Sequence, residues 1–452
     1  MFRSIFKNRD LSWLSFNKRV LEETGFDDLK VADRLKFIAI HYSNLEEFSR
    51  VRLAIIEELA QSEINEVSDV YIDILASARV EIFHQICSSR EIIEKKIIPE
   101  LEASGVILYK HDEDVLEVHK EQVIRLFMSK VLSYLQPVVI TPKSRLFLED
   151  RMLYFLIHLN AGRRLEDLKV ILNIPKNVLP RFFALESHEG KHYVIYLDDI
   201  IRIGIRTLFP DYSFYGIYSI KLNRDADLHL DAQKEGELAE FIEELQKRLS
   251  IRKTGLPSRF QYDAAMPENL VRFCKEALHF EGGEMLPVGR YQGANDFFGF
   301  PIPAGTDLSQ SAWPSLNHDK LKVYGDYFSS IAEQDHLLHF PYQSYDHVLV
   351  FFNNAVLDQN VTEIMVTFYR IAEESHIVNA LISAAKNGKK VSAFIELKAR
   401  FDEANNLHWA EQMAKAGVHI TYSIPGIKVH AKAALIIRRE KGMYKKYGFF
   451  GT

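Results

Sequence analysis

Hydrophobic positions recur at helical spacing through the first hundred residues. Leu11, Leu14, Val20 and Leu21 form a stripe behind a cap at Asp10 or Ser12. Leu45, Phe48, Arg52, Ile55 and Leu59 continue the spacing, with Arg52 the polar exception. Tyr71, Leu75, Ala78 and Ile82 repeat it, and Ile93, Ile97 and Leu101 close the set before Gly105, a natural helix terminator. Residues 1–105 therefore read as a bundle-like helical domain. Over 106–315 the period changes. One helix, Gln122 to Leu135, precedes Pro137, and another runs near Leu238 to Leu249. Short β-branched and aromatic runs lie between them: Met152–Leu159, Val170–Ile174, Phe182–Leu185, Tyr193–Leu197 and Tyr215–Leu222. This is an α+β domain.

From 316 to 452 the pattern alternates. His347–Phe352 reads as a strand or a short helix. Ile364–Phe368 is an apolar strand ahead of Tyr369-Arg370, and a helix from Ile377 to Lys386 ends at Asn387-Gly388. Val391–Leu397 then leads to Lys398-Ala399-Arg400. A second helix, Ala404 to Ala416, ends at Gly417, and Val418–Tyr422 follows. Strand–helix–strand–helix–strand implies right-handed crossovers and a parallel sheet. The chain stops at Gly451-Thr452 just as Phe449-Phe450 opens another strand, so this third domain is expected to be incomplete. No internal repeat and no low-complexity segment interrupts the order.

Composition narrows the class. Hydrophobic content of 47% and charged content of 26% over 452 residues are ordinary for soluble globular domains. A net charge of −6 argues against bulk nucleic-acid binding while leaving room for a local basic pocket. The two cysteines, Cys87 and Cys274, form neither a disulfide framework nor a zinc spacing, which fits a reducing compartment. The start has no secretory signal, and no run reaches the ~18–20 apolar residues of a spanning helix.

Candidate chemistry centres on Pro425-Gly426-Ile427-Lys428-Val429-His430-Ala431-Lys432, followed by the apolar run Ala433–Ile437. Read as a strand, it sets Lys428, His430 and Lys432 on one face. Two ammonium groups oppose protonation of the imidazole between them and attract a polyanion, so His430 is a candidate phosphoryl acceptor. Alone, a His-x-Lys triplet is more often a solvated strand edge. Ligands of open α/β sheets sit beyond the carboxyl ends of the strands, where Arg370 and Arg400 follow two successive strands. Guanidinium groups bind phosphate oxygens bidentately, although each arginine could instead pair with an acid such as Glu373 or Asp402. Arg151, Arg163, Arg164, Arg202 and Arg206 of the α+β domain read as solvated charges. Phe209, Tyr212, Phe214 and Tyr215 read as core, or as a self-association surface.

Several motifs in one order carry a resemblance. They are Arg9-Asp10-Leu11-Ser12-Trp13-Leu14-Ser15-Phe16-Asn17, Ser43-Asn44-Leu45-Glu46-Glu47-Phe48, Pro180-Arg181-Phe182, Gly289-Arg290-Tyr291 and Asn295-Asp296-Phe297. His339-Phe340-Pro341-Tyr342-Gln343-Ser344-Tyr345, Tyr369-Arg370-Ile371-Ala372, Glu396 through Glu403, and Lys428 through Lys432 complete them. The chain resembles the bacterial polyphosphate kinases that work through a phosphohistidine. Two departures are expected: the family continues beyond Thr452, and Phe368 stands where that family has leucine, a conservative change. The resemblance implies a multidomain α/β and α+β fold: an N-terminal helical bundle, a head domain over 106–315, and the first, truncated, of two phospholipase-D-like α/β domains.

It also implies reversible transfer of the ATP γ-phosphate to inorganic polyphosphate, with His430 as acceptor and Lys432 steadying the oxygens. Arg370 and Arg400 match the family's magnesium–phosphate positions. Since Mg²⁺ prefers oxygen donors, they are expected to grip the phosphates that carry the ion. Asn44 matches a nucleotide-contacting position. The same Ser43-Asn44-Leu45-Glu46 is also a capping box at a helix start, and the two readings are compatible. The expected cofactors are ATP/ADP and Mg²⁺, and the expected partners are polyphosphate and further copies of the chain in a dimer or tetramer, without nucleic acid. The expected location is the cytoplasm or the inner-membrane periphery. Because the family's further domain supplies part of the nucleotide pocket, these 452 residues alone are expected to be inactive. The competing reading is a phospholipase-D-type phosphodiesterase or nuclease. Those enzymes place an aspartate after His-x-Lys where this chain has Ile437, which counts against that reading. A third reading is a non-catalytic assembly module.

Overall fold

The computed structural model describes residues 7–26, 28–61, 65–141, 143–144, 146–160, 167–224, 257–280, 283–311, 313–321, 327–399, 402–423 and 428–452. The chain divides into two compact units, residues 1–229 with 250–311, and residues 230–249 with 312–452.

The first unit opens with helices α1 (Arg9–Glu22), α2 (Val31–Phe48), α3 (Ala54–Ala60), α4 (Asn65–Ile92) and α5 (Ile98–Ala103). Their apolar stripes meet: Leu14, Leu45, Phe48, Leu53, Ile56, Ala78 and Ile82 form one buried cluster. The α1 cap is neither Asp10 nor Ser12. Asn8 accepts from the Asp10 and Leu11 backbone N–H groups at 2.9 and 3.3 Å. Asp10 is thereby inside the helix, where it receives a bidentate ion pair from Arg52 at 2.7 and 3.0 Å. That pairing explains the one polar residue in the Leu45–Leu59 stripe.

A second correction concerns Ser43-Asn44-Leu45-Glu46. The motif starts no helix, because α2 runs unbroken from Val31 to Phe48. Glu46 turns away to form a buried ion pair with Lys221 instead of reaching back to a cap.

The head follows as β1 (Val106–Leu108), α6 (Glu117–Leu126), β2 (Val138–Ile140), β3 (Leu153–Asn160), β4 (Leu168–Ile174), β5 (Phe182–His188) and β6 (Lys191–Tyr196). Then come α7 (Leu197–Gly204), β7 (Ser213–Arg224), β8 (Pro257–Asp263), α8 (Glu268–Ala277) and β9 (Glu284–Val288). Two sheets result, in the orders β1-β6-β5 and β2-β4-β3-β7-β8-β9. All five sequence-predicted strands are present. The helix predicted from Gln122 begins five residues earlier, at Glu117, widens into a π turn over Phe127–Val131 and closes in a 3-10 turn ending at Tyr134. The helix predicted near Leu238–Leu249 lies outside the described residues, as do Arg163 and Arg164. Arg202 is not a solvated charge. It is 1% exposed, pairs with Asp199 at 3.1 Å and sits 4.5 Å over the Phe155 ring. Phe209, Tyr212 and Phe214 pack on the head core.

The second unit contains α9 (Tyr327–Glu333), α10 (Asp346–Leu357), β10 (Val361–Phe368), α11 (His376–Lys386), β11 (Lys390–Ile395), α12 (Glu403–Lys415), β12 (His419–Tyr422), β13 (Lys432–Glu440) and β14 (Met443–Gly451). The ambiguous His347–Phe352 run is helical. Ile364, Val366, Val391, Ala393, Ala434 and Ile436 of the sheet bury against Val378, Leu381, Ala384, Ala410 and Met413 of the covering helices. Gly388 and Gly417 end α11 and α12 at φ +80° and +93°, a left-handed turn that a Cβ would oppose.

Strand order is β12-β11-β10-β13-β14. The expectation of parallel pairing holds for β10, β11 and β12, while β13 runs antiparallel beside β10. Only nine residues separate β12 from β13, and the antiparallel β13 starts at the end of the sheet where β10, β11 and β12 finish. This reversal decides the site. A parallel β13 would begin at the opposite edge of the sheet, away from the ends of β10 and β11.

Candidate active site

Two loops leave the carboxyl ends of β10 and β11, and Asn406 from α12 joins them. Its side chain is fully buried, donates to the carbonyls of Tyr369 and Glu396 at 2.9 and 3.0 Å, and accepts from the Ile371 N–H at 3.1 Å. Asn405 and Trp409 add bonds to the carbonyls of Ile371 and Ala372 at 2.6 and 3.0 Å. Such a fully satisfied polar core holds its loops in one arrangement.

Tyr369 stands at the centre of what these loops present. The His430 ring packs edge-on against it, 4.7 Å between centroids and 67° between planes. The Lys432 ammonium lies 5.4 Å from the same ring centroid and the Arg370 guanidinium 5.7 Å. Lys432 Nζ also lies 3.0 Å from Nδ1 and 2.9 Å from Nε2 of His430, and donates to the His430 carbonyl at 2.8 Å. Near-equal distances to both ring nitrogens set the ammonium over the face of the imidazole. His430 itself is exposed. Around one aromatic ring the fold thus gathers an exposed imidazole and two cationic side chains.

The structure brings His430, Lys432 and Arg370 together, but not by the shared strand face expected from the sequence. Lys428, His430 and Lys432 do not share a strand face, because β13 begins only at Lys432 and the preceding residues are irregular. The Thr367 hydroxyl donates to the Ala431 carbonyl at 2.7 Å, taking the place of a further ladder bond. Lys428 is exposed. Arg370 is half-exposed and pairs with Asp402 at 3.0 Å, one of the two acids named for it from the sequence. Arg400 and the Pro425-Gly426-Ile427 turn lie outside the described residues.

Asn44 belongs to the first unit. Its amide donates to Asn17 Oδ1 at 3.0 Å, and Asn17 in turn donates to His41 Nδ1 at 3.0 Å and to Gln85 Oε1 at 3.3 Å. It is therefore one end of a buried polar chain between helices. The first unit also holds a cavity of about 450 Å³, lined by residues that include Tyr42, Arg90, Phe182, Tyr196, Arg290 and Tyr291, and by none of the expected site residues.

Sequence reasoning missed Glu396, Asn406 and Tyr369 as parts of the site. Only Glu396 carried a readable signal, an acid closing an apolar strand where a solvated residue is usual. No group of three or more His, Cys, Asp or Glu among the described residues could hold a metal ion. Next to the cations, Asp402 is the accessible carboxylate, and one such group with substrate phosphates is how Mg²⁺ is commonly held.

A five-stranded phospholipase-D-like sheet with histidine and lysine at its crevice edge follows a helical domain and an α+β head. Comparison with known proteins agrees along the chain. Residues 6–109 match the polyphosphate kinase N-terminal domain, 118–300 the middle domain and 326–452 the C-terminal domain 1. The chain belongs to the polyphosphate kinase family. It is 32% identical to the polyphosphate kinase of Vibrio vulnificus strain YJ016, over 98% of this chain and 64% of that protein. Against that of Escherichia coli K12 the identity is 33%, over 99% and 66%. The crystal structure of polyphosphate kinase from Porphyromonas gingivalis superposes with a TM-score of 0.75 at 35% identity, covering 96% of this chain and 62% of that one. The chain thus spans about two thirds or less of the length of these relatives.

Proposed function

We propose that this chain carries the phosphoryl-accepting part of a polyphosphate kinase, with His430 as the acceptor. The observation that carries the reading is the convergence of His430, Lys432 and Arg370 on one ring at the carboxyl ends of β10 and β11. In the forward direction a ring nitrogen of His430 attacks the γ-phosphorus of ATP, so an N–P bond forms as the bond to the ADP oxygen breaks. A terminal oxygen of polyphosphate then attacks the phosphoryl group, the N–P bond breaks, and the chain grows by one unit. Lys432 stands against the ring to neutralise charge gathering on the transferred oxygens. Arg370 grips phosphate with a planar fork, exchanging its Asp402 contact for substrate oxygens, and Arg400 has the same role. Asp402 together with the substrate phosphates would hold Mg²⁺, which would supply charge neutralisation there. Asn44 contacts the nucleotide at the helical domain. The working form is a cytoplasmic homo-oligomer, which sedimentation reads directly. Among the described residues no helix is long and apolar enough to cross a membrane.

Phosphoramidate supplies the test, because it transfers its phosphoryl group to accessible imidazoles without a nucleotide pocket. Phosphopeptide mass spectrometry under alkaline conditions should find His430 modified faster than the exposed His84. Preference for other histidines, with His430 unmodified, overturns the assignment. A parallel arm with γ-labelled ATP and Mg²⁺ reads turnover by these 452 residues, expected to be absent. Acid-labile label on His430 in that arm would show the chain sufficient for the first half-reaction.

The phosphodiesterase reading is disfavoured by Ile437. It lies within β13, pairs with Glu363 and Lys446 across the sheet, and offers no carboxylate to orient the histidine.

A further inference from the structure

We propose that Glu396 and Thr367 form a clamp that positions His430, an assignment that rests on the phosphohistidine reading above. Registered pairing between β10 and β13 runs from Val361 opposite Arg438 to Val366 opposite Ala434 and stops there, short of His430. Beyond that point two side chains replace the ladder. Thr367 Oγ1 donates to the Ala431 carbonyl at 2.7 Å and accepts from the Ala433 N–H at 3.0 Å. Glu396 Oε2 accepts from the Val429 N–H at 2.7 Å. The residues on either side of His430 are thus each tied to the end of a different parallel strand.

Glu396 is 1% exposed, and its second oxygen accepts from the Lys398 N–H at 2.8 Å and the Ser423 hydroxyl at 3.1 Å. These three donors are all neutral. Burying a carboxylate is unfavourable unless its lone pairs are satisfied, and here they are satisfied by three separate pieces of backbone and loop. What the glutamate gains is geometry. It joins the β11 loop, the end of β12 and the histidine segment at one point. The His430 ring stays exposed while the backbone on both sides of it is fixed. That is the arrangement a nucleophile needs when it must meet an incoming phosphorus without reorganising. Both residues are positioning residues, since neither side chain reaches the ring.

The experiment uses the full chain and three variants: Glu396→Gln, Thr367→Val and Thr367→Ser. Glutamine keeps the size but turns a donor toward donors. Valine removes only the hydroxyl, and serine restores it. Two readouts are taken on each protein, amide hydrogen exchange at Val429 and Ala433, and the initial rate of phosphoramidate modification at His430 relative to His84. Loss of one such bond is expected to speed exchange of the released amide, Val429 in the glutamine variant and Ala433 in the valine variant, by about tenfold. The His430 rate should fall by a similar factor, with the His84 rate and the midpoint of its pH profile unmoved. Thr367→Ser should recover both readouts, which guards against a general folding defect. Amides that loosen while His430 reacts within twofold of its original rate would make the clamp structural only and overturn the proposal. Unchanged amide exchange would overturn it as well. If His430 in the unaltered chain reacts no faster than His84, the phosphohistidine reading itself fails, whatever the amides show.

Discussion

Arg370 carries two sequence readings, a phosphate-binding fork and an ion pair with a nearby acid, and the structure shows the second. It was legible as a phosphate-binding fork because it follows an apolar strand, and Asp402 was legible as a rival partner from proximity alone. The structure pairs them at 3.0 Å with both side chains partly solvated, so the ion pair contributes little to stability, roughly 0–1 kcal/mol. A weak, exposed partner is easily exchanged for a phosphate anion, as the proposed role of Arg370 requires. Asp402→Asn should therefore tighten binding of inorganic tripolyphosphate several-fold in titration calorimetry while moving the unfolding free energy by under about 1 kcal/mol. Arg370→Ala should weaken the same binding by about tenfold or more, as loss of a charge-assisted pair implies. Equal affinities for Asp402→Asn and the original chain would remove Arg370 from the anion site. The bland reading also failed at one residue. Arg202 reads as solvated in the sequence, yet a long cation can be buried when an acid and an aromatic face wait for it, and neither Asp199 nor Phe155 advertises that in sequence.

At the scale of elements, the alternating segments of the second unit were legible because their periods are clean, two for strands and 3.6 for helices. Pairing direction was not. Nothing in the composition of β13 says that it runs against β10, since a buried central strand is apolar either way. The signal was the short connection, nine residues between Tyr422 and Lys432, where a parallel crossover needs a dozen or more. A capping box proved equally ambiguous. Ser43 to Glu46 satisfies the pattern, but α2 passes through it because Glu46 has a better partner in Lys221 and Asn44 in Asn17. Asn406 was invisible for the opposite reason, a polar residue on a helix whose value depends wholly on two loops distant in sequence. With its three hydrogen bonds and full burial, Asn406→Ala should destabilise the second unit by about 2–4 kcal/mol in urea unfolding. Asn406→Asp should do at least as much at neutral pH, since a carboxylate cannot donate to the Tyr369 and Glu396 carbonyls. A change below about 0.5 kcal/mol would mean that the loops hold themselves.

Across the whole molecule, the first unit stakes its stability on buried polar groups whose charge state matters, which no hydrophobic pattern could forecast. His41 is completely buried between Asn17 and Gln85, and burial holds its pKa down to about 4, against weaker upward pulls from the Asn17 and Gln85 backbone. Its folded pKa lies below the unfolded value of 6.5, so the unfolded chain binds the proton more readily. Stability from this group is intact above about pH 6.5 and drains away as pH falls toward 4. Glu46 works in the same direction. Burial alone would raise it, but the Lys221 ammonium outweighs that and leaves it below the usual carboxylate range, so acid removes its contribution too. Urea unfolding of the first unit should lose about 2 kcal/mol between pH 7.5 and pH 5 from His41 alone. His41→Gln separates that share from the carboxylates, which titrate in both proteins. The variant starts less stable at pH 7.5, because glutamine fits the imidazole's polar chain imperfectly, but its loss on acidification should be shallower by the same ~2 kcal/mol. Parallel pH dependences in the two proteins would mean that the ring is already solvated or charged in the folded state, and that the Asn44–Asn17–His41 chain owes nothing to a neutral imidazole.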